Sequence, residues 1–175
     1  GPVAYVVVPN GFHRMDAGRF ARRYPNAKIV CPSGSKAKVE KITKRVDLVY
    51  EDFPKDDHVR LVTLRGIGEA EGVMIVRDGE GDKDVTLVTT DMIFNMPHAK
   101  GFGGFVLRYL TDSSGGPKVS RLARLFIVKD KRVAADHLRE LAALPGLKRV
   151  IVGHHLMIED HPAATLRSVA DELAS

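Results

Sequence analysis

Apolar residues along this chain gather in short continuous runs, broken by turn residues, with helical spacing between several of them. Ala4–Val8 (AYVVV) is such a run and reads as a buried strand, ended by Pro9-Asn10-Gly11. Asp16–Tyr24 (DAGRFARRY) reads as a short helix with Asp16 at its N-cap and Pro25-Asn26 as its stop. Lys28–Cys31 predicts the next strand, and Ser33 or Ser35 caps a helix running to about Arg45. Strand, helix, strand and helix within so short a stretch mark layered α/β structure.

The middle of the chain changes character. Val59–Leu64, Gly72–Arg77 and Val85–Thr89 are strand-like, and the Gly- and Asp-rich Asp78–Lys83 between the last two predicts an antiparallel hairpin. Phe105–Asp112 and Val119–Val128 carry apolar residues at helical spacing, separated by Ser113–Pro117. Ala134–Leu144 is an amphipathic helix stopped by Pro145-Gly146. Arg149–Val152 is a last buried strand, and Asp160 and Pro162 open a helix through Leu173. No repeat, low-complexity tract or linker interrupts the pattern, so the expectation is one domain over residues 1–175.

Composition narrows the classes. At 175 residues the chain can bury a sizeable core without staples. The single Cys31 excludes an internal disulfide and a Cys-rich zinc module, and points to a reduced, cytoplasmic setting. No apolar run approaches the roughly 20 residues of a membrane-spanning helix, and the N-terminal residues do not form a basic-then-apolar leader. Net charge is +5, and seven of the 27 Lys and Arg lie at Arg23, Lys28 and within Lys36–Arg45. No aromatics interleave that stretch, which disfavours nucleic acid as a partner.

Candidate chemistry lies just beyond strand-like runs. His13 follows Ala4–Val8, Asp91 follows VTLVTT, and His154 follows RVIVG. In layered α/β folds, ligands gather at strand ends, where side chains from several strands converge. Two imidazoles and a carboxylate suit Zn, Fe or Mn. Each residue also has an ordinary structural reading: a loop histidine bonded to backbone, or an aspartate capping a turn. Cys31 sits in a buried-strand pattern and reads as an inert thiol. No Ser occupies a GxSxG elbow, and the glycines at 66–68 and 101–104 match no phosphate-binding loop.

Four segments in order resemble the metallo-β-lactamase fold superfamily: VPNGFHRMDAGRFARRYPNAKIVCP, VTLVTTDMIFN, GFGGFVLRYL with GGPKVSRLARLF, and RVIVGHHLMIED. The resemblance covers nearly the whole chain. It implies an α/β (α+β) fold, an αββα sandwich of mixed sheets with helices outside and a helical insert at about 98–130. The superfamily usually opens with a β-hairpin before the strand matched by Ala4–Val8, and Gly1 stands almost at that strand. The sandwich is therefore expected either with this hairpin or without it, and a bare sheet edge together with the apolar Phe102–Leu110 would favour a homodimer.

The departures from the family pattern are equally specific. Of the first metal motif, His-x-His-x-Asp-His, the segment GFHRMD keeps only His13, with Gly11, Met15 and Asp16 at the other positions. Arg65–Gly72, where the next ligand falls, has no His. Asp91 and His154 match their positions. The resemblance thus implies a degenerate site: His13, Asp91 and His154 as metal ligands, Asp16 as a substitute oxygen ligand, and Asp91 and His154 as catalytic groups. It would hold one weakly bound Zn2+ (or Fe or Mn) or none. Two functions follow. One is weak or absent hydrolysis of an ester, thioester or phosphoester. The other is non-catalytic binding or scaffolding on the same fold, with a small molecule as partner in either case.

Overall fold

The computed structural model describes residues 1–80 and 83–175. Gly81 and Asp82, the centre of the Asp78–Lys83 turn, lie outside the described residues. The strands on either side behave as expected, pairing from Met74↔Val88 to Asp78↔Asp84 in antiparallel fashion.

Nine strands and six α-helices follow in order among the described residues. They are β1 (Tyr5–Val7), α1 (Ala17–Arg23), β2 (Lys28–Cys31), α2 (Lys36–Thr43), β3 (Leu48–Val49), β4 (Val59–Thr63), β5 (Gly72–Asp78) and β6 (Asp84–Val88). Then come β7 (Phe94–Met96), α3 (Gly101–Phe105), β8 (Gly116–Lys118), α4 (Arg121–Phe126), α5 (Lys131–Ala142), β9 (Leu147–Ile151) and α6 (Pro162–Ala174). A π-helical turn, Val106–Leu110, continues α3.

The strands form two main sheets. The first is parallel, ordered β1-β2-β3; the second is mixed, ordered β4-β5-β6-β9, with β6 and β9 parallel and the other pairs antiparallel. β7 and β8 make a small antiparallel pair. Each main sheet carries its own helices. α1 and α2 pack on each other and on the first sheet, around Val8, Ala17, Ile29, Cys31 and Val39. α5 and α6 pack on each other, α6 rests on β9, and the larger core runs from Ile75 and Leu87 through Leu138 to Leu166.

A seam joins the sheets. The Gly72 N–H donates to Pro9 O at 3.0 Å, and Asn10 bridges to Glu71. Buried Tyr50, just past β3, lies so close to the β5 backbone that a Cβ on Gly72 would meet its ring at 2.0 Å. Only glycine fits this close approach.

Local chemistry departs from expectation at three helix starts. Asp16 occupies the α1 N-cap but makes no side-chain cap bond. Ser35 occupies the α2 N-cap but makes no side-chain cap bond; the hydroxyls of Ser33 and Ser35 instead donate to Glu69 Oε2 at 2.8 Å and to Ala70 O at 2.6 Å, tying the helix start to the loop before β5. The α6 N-cap is His161, in a left-handed conformation, rather than Asp160, with Pro162 in the first turn as expected. Phe105–Asp112 is not one α-helix. Its first residue ends α3 and the π turn takes over, with the Thr111 N–H donating to Val106 O. Within Val119–Val128, α4 is shorter than the apolar spacing implied and is capped by Ser120, whose hydroxyl accepts from the Ala123 N–H at 3.1 Å. No helix among the described residues is long and apolar enough to cross a membrane.

Candidate metal centre

The loops after β1, β6 and β9 deliver His13, Asp91 and His154 to one place. His154 Nε2 lies 2.8 Å from Asp91 Oδ1, and His13 Nε2 lies 3.1 Å from the same oxygen. One ligand atom from each residue falls within 4.8 Å of the other two. The Asp91 side chain is only 13% exposed, whereas those of His13 and His154 are 34% and 36% exposed and form the mouth.

A second layer holds this group in place. Asn10 donates through Nδ2 to Asp91 Oδ2 at 2.8 Å and to Thr90 Oγ1 at 2.9 Å. Its Oδ1 accepts the backbone N–H groups of Phe12 and His13, both at 2.8 Å. Asn10 therefore fixes the loop that carries one histidine and the orientation of the aspartate. Buried Glu71 does the same from the other side: its Oε1 accepts the N–H groups of Thr90 and Met92, which flank Asp91, at 3.2 and 3.0 Å. The ring of Phe94, in β7, stacks face to face on His154 at 4.6 Å between centroids and sets its plane.

These surroundings divide the charge. Burial raises the pKa of the Asp91 carboxyl, but hydrogen bonds from His154, His13 and Asn10 outweigh it and hold the group below the ordinary carboxylate value. Asp91 is thus an anion across the neutral range. Glu71 goes the other way: burial pushes its pKa up, against the backbone bond from Met92 and the Thr90 side chain. The site keeps one carboxylate ionised where it faces the histidines and penalises charge on the carboxyl behind it.

Of the four residues singled out from sequence, the structure brings together His13, Asp91 and His154. Asp16 stands apart, exposed, with Oδ1 3.4 Å from the Arg19 guanidinium. His155, next to His154, is exposed and bridges to Asn95. His98 bonds Ser114 Oγ at 3.0 Å. Cys31 is fully buried, and burial, then Glu40, pushes its thiol up to about 11, as suits an inert core residue. Sequence reasoning missed Asn10, Glu71 and Phe94. Asn10 had a visible signal, an Asn-Gly turn at a strand end; Glu71, an acid opening a buried strand, had a weaker one.

The three gathered residues fit a metal ion by donor chemistry. Two imidazole nitrogens and an anionic oxygen are the mixed set that Zn, Fe and Mn take. For both histidine contacts to be hydrogen bonds each Nε2 must carry a proton, and an ion would stand in for both. With all three ligand atoms within 4.8 Å of one another, a single ion could reach each of them.

The fold these elements build is the metallo-β-lactamase fold. It is shared with the crystal structure of the DIM-1 metallo-β-lactamase exposed to ceftazidime, at a TM-score of 0.55 and 11% identity, over 96% of this chain and 67% of that one. It is shared also with the flavodiiron protein from Giardia intestinalis, at a TM-score of 0.54 and 12% identity, over 98% of this chain and 42% of that one. The chain therefore spans less than half the length of the flavodiiron protein. By sequence, no protein-family model and no curated protein matches.

Proposed function

We propose that the chain is a metallo-hydrolase-like protein with a reduced site, in which His13, Asp91 and His154 hold a single divalent ion and act on an ester, thioester or phosphoester. The observation that carries this reading is the convergence of both Nε2 atoms on Asp91 Oδ1 at the ends of strands from both sheets. A bound ion of this kind supplies Lewis acidity and lowers the pKa of a water.

The chain's own residues do the rest. Asn10 holds Asp91 Oδ2, which leaves Oδ1 directed at the two histidines. Phe94 keeps the His154 ring in one plane, so Nε2 stays aimed at the cleft. Asp91 and His154 are the groups within reach of the reacting atoms, and Asp91, held ionised, offers the negative charge that a cation requires. The shell is thin: Asp16 pairs with Arg19, and Arg65–Gly72 supplies no histidine, so binding is weak and exchangeable.

Initial rates on p-nitrophenyl acetate, an acyl thioester and bis(p-nitrophenyl) phosphate, with added Zn2+ or Mn2+, test the reading. Wild type turns over at least one of them, and Asp91→Asn and His154→Ala lose that activity. Equal rates in all three proteins contradict it. An ion held by wild type, with no turnover of any ester, favours the competing binding or scaffold function instead.

The reading extends to assembly. Phe102, Phe105, Tyr109 and Leu110 are all more than half exposed, an apolar surface on one short segment that a second copy of the chain would cover. Light scattering over a micromolar concentration series gives more than the monomer mass if this holds, and the monomer mass throughout if it does not.

A further inference from the structure

A cavity of about 510 Å3 opens beside the three-residue group. Asp91 lines it together with Phe94, the ring stacked on His154, and Phe12, the neighbour of His13. The rest of its apolar lining comes from the helical segment: Leu107 from the π turn, and Leu122, Phe126 and Ile127 from α4 and its end. Its volume falls within the roughly 300–1,000 Å3 of small-molecule sites.

Two of the three hydroxyls that line it are engaged with each other, and the third only accepts. Thr111 Oγ1 and Ser113 Oγ bond each other at 2.7 Å, Thr111 also reaches Leu107 O at 3.3 Å, and Ser120 Oγ accepts from the Ala123 N–H. What remains for a ligand is hydrocarbon, the Ser120 O–H, which accepts but donates to nothing among the described residues, and one anionic group, Asp91. Among the described residues lining it, Asp91 is the sole ionisable one, so away from the proposed ion the lining side chains offer no cation to an anionic substituent.

From this layout we infer that the cavity is a substrate subsite for an uncharged apolar arm, the acyl chain or aryl group of a carboxylic ester or thioester whose carbonyl lies at Asp91 and His154. The assignment of substrate class rests on the hydrolase reading above; the assignment of an apolar arm rests on the cavity alone. The arm takes the place of water against Leu107, Leu122, Phe126 and Ile127. Each further methylene buried there tightens binding by about fourfold, the transfer free energy of one CH2 group. The gain stops when the chain outgrows the cavity.

A pair of measurements separates the two readings. The first needs no catalysis: methyl ketones of rising chain length, from 2-butanone to 2-decanone, are titrated into the protein and followed by methyl resonances in NMR spectra. The expected result is affinity rising by about fourfold per methylene to a plateau, with shifts at the Leu107, Leu122 and Ile127 methyls. In the double variant Leu122→Ser/Phe126→Ser, whose residues are 48% and 69% exposed, the fold is retained and the chain-length dependence flattens. Affinity independent of chain length, shifts confined to other residues, or an unchanged slope in the folded double variant would overturn the subsite. The second measurement is kcat/KM on p-nitrophenyl acetate, butyrate, hexanoate and octanoate. Activity with no preference among them keeps the hydrolase and removes the subsite. Ketone binding with the predicted slope and no turnover of any ester keeps the apolar subsite and removes the hydrolase.

Discussion

Helix α5 and the segment from α3 through the π turn are both rich in apolar residues, yet they meet opposite fates. α5 buries Ala134, Ala135, Leu138, Leu141 and Ala142 against the second sheet's core, and His137 with them. The α3–π segment buries only Gly104, while Phe102 stands 82% exposed. The difference lies in what packs against each apolar face. The apolar residues of α5 recur at the helical period and face one surface, α6 and the sheet. In the other segment Phe105 and Tyr109 also share a face, with ring centroids 5.0 Å apart, but that face is more than half exposed. An apolar face left without a partner element becomes surface, and here Leu107 of the same segment lines the cavity beside Asp91.

This contrast predicts a graded series. Leu138→Ala, at the heart of the covered face, should cost about 2–5 kcal/mol of stability, measured by urea unfolding; a loss under 1 kcal/mol would place α5 outside the core. Glu71→Ala strips the acceptor from the Thr90 and Met92 N–H groups. Unmet buried donors cost about 1–3 kcal/mol each, partly offset by relief of the buried carboxyl, so a net loss of about 2–4 kcal/mol is expected by the same assay. Unchanged stability would show that the Asp91 loop holds itself.

A smaller effect is expected from pH. The pKa of Glu71 is raised in the folded state by burial, so the stability it contributes is present in acid, below the ordinary Glu range, and is lost as pH rises through its folded value. Wild type should therefore lose stability relative to Glu71→Gln as pH climbs out of the acid range. Parallel stability-versus-pH curves for the two proteins would contradict this. Smallest of all, Phe102→Ala should shift monomer stability by no more than about 0.5 kcal/mol, since an 82% exposed side chain has little burial to lose. A loss comparable to that of Leu138→Ala would mean that this segment is covered in the native molecule.

What could be read from sequence follows the same division. α5, β9 and the β5–β6 pair were legible because period and turn chemistry agree locally. β3, β7 and β8 were not: each has only two or three residues, too few to show a period, and β7 and β8 exist through pairing across the helical segment. The three residues that converge, His13, Asp91 and His154, could be singled out because each follows a strand-like run, a local signal. The supports Asn10 and Glu71 could not, because their role depends on the seam between sheets, where residues 61 positions apart meet at 3.3 Å. Asp16 stands at the N-cap of α1, three residues before Arg19, and its carboxylate turns to that guanidinium rather than to the cleft.

The central claim is that His13, Asp91 and His154 together hold one ion. Elemental analysis of protein purified without a polyhistidine tag, after equilibration with Zn2+ and removal of the excess, tests it most directly, with Asp91→Ala and His154→Ala measured alongside. The account predicts up to one Zn2+ per chain in wild type, with a clear drop in both variants. Wild type that retains no zinc, or variants that retain as much as wild type, would contradict it.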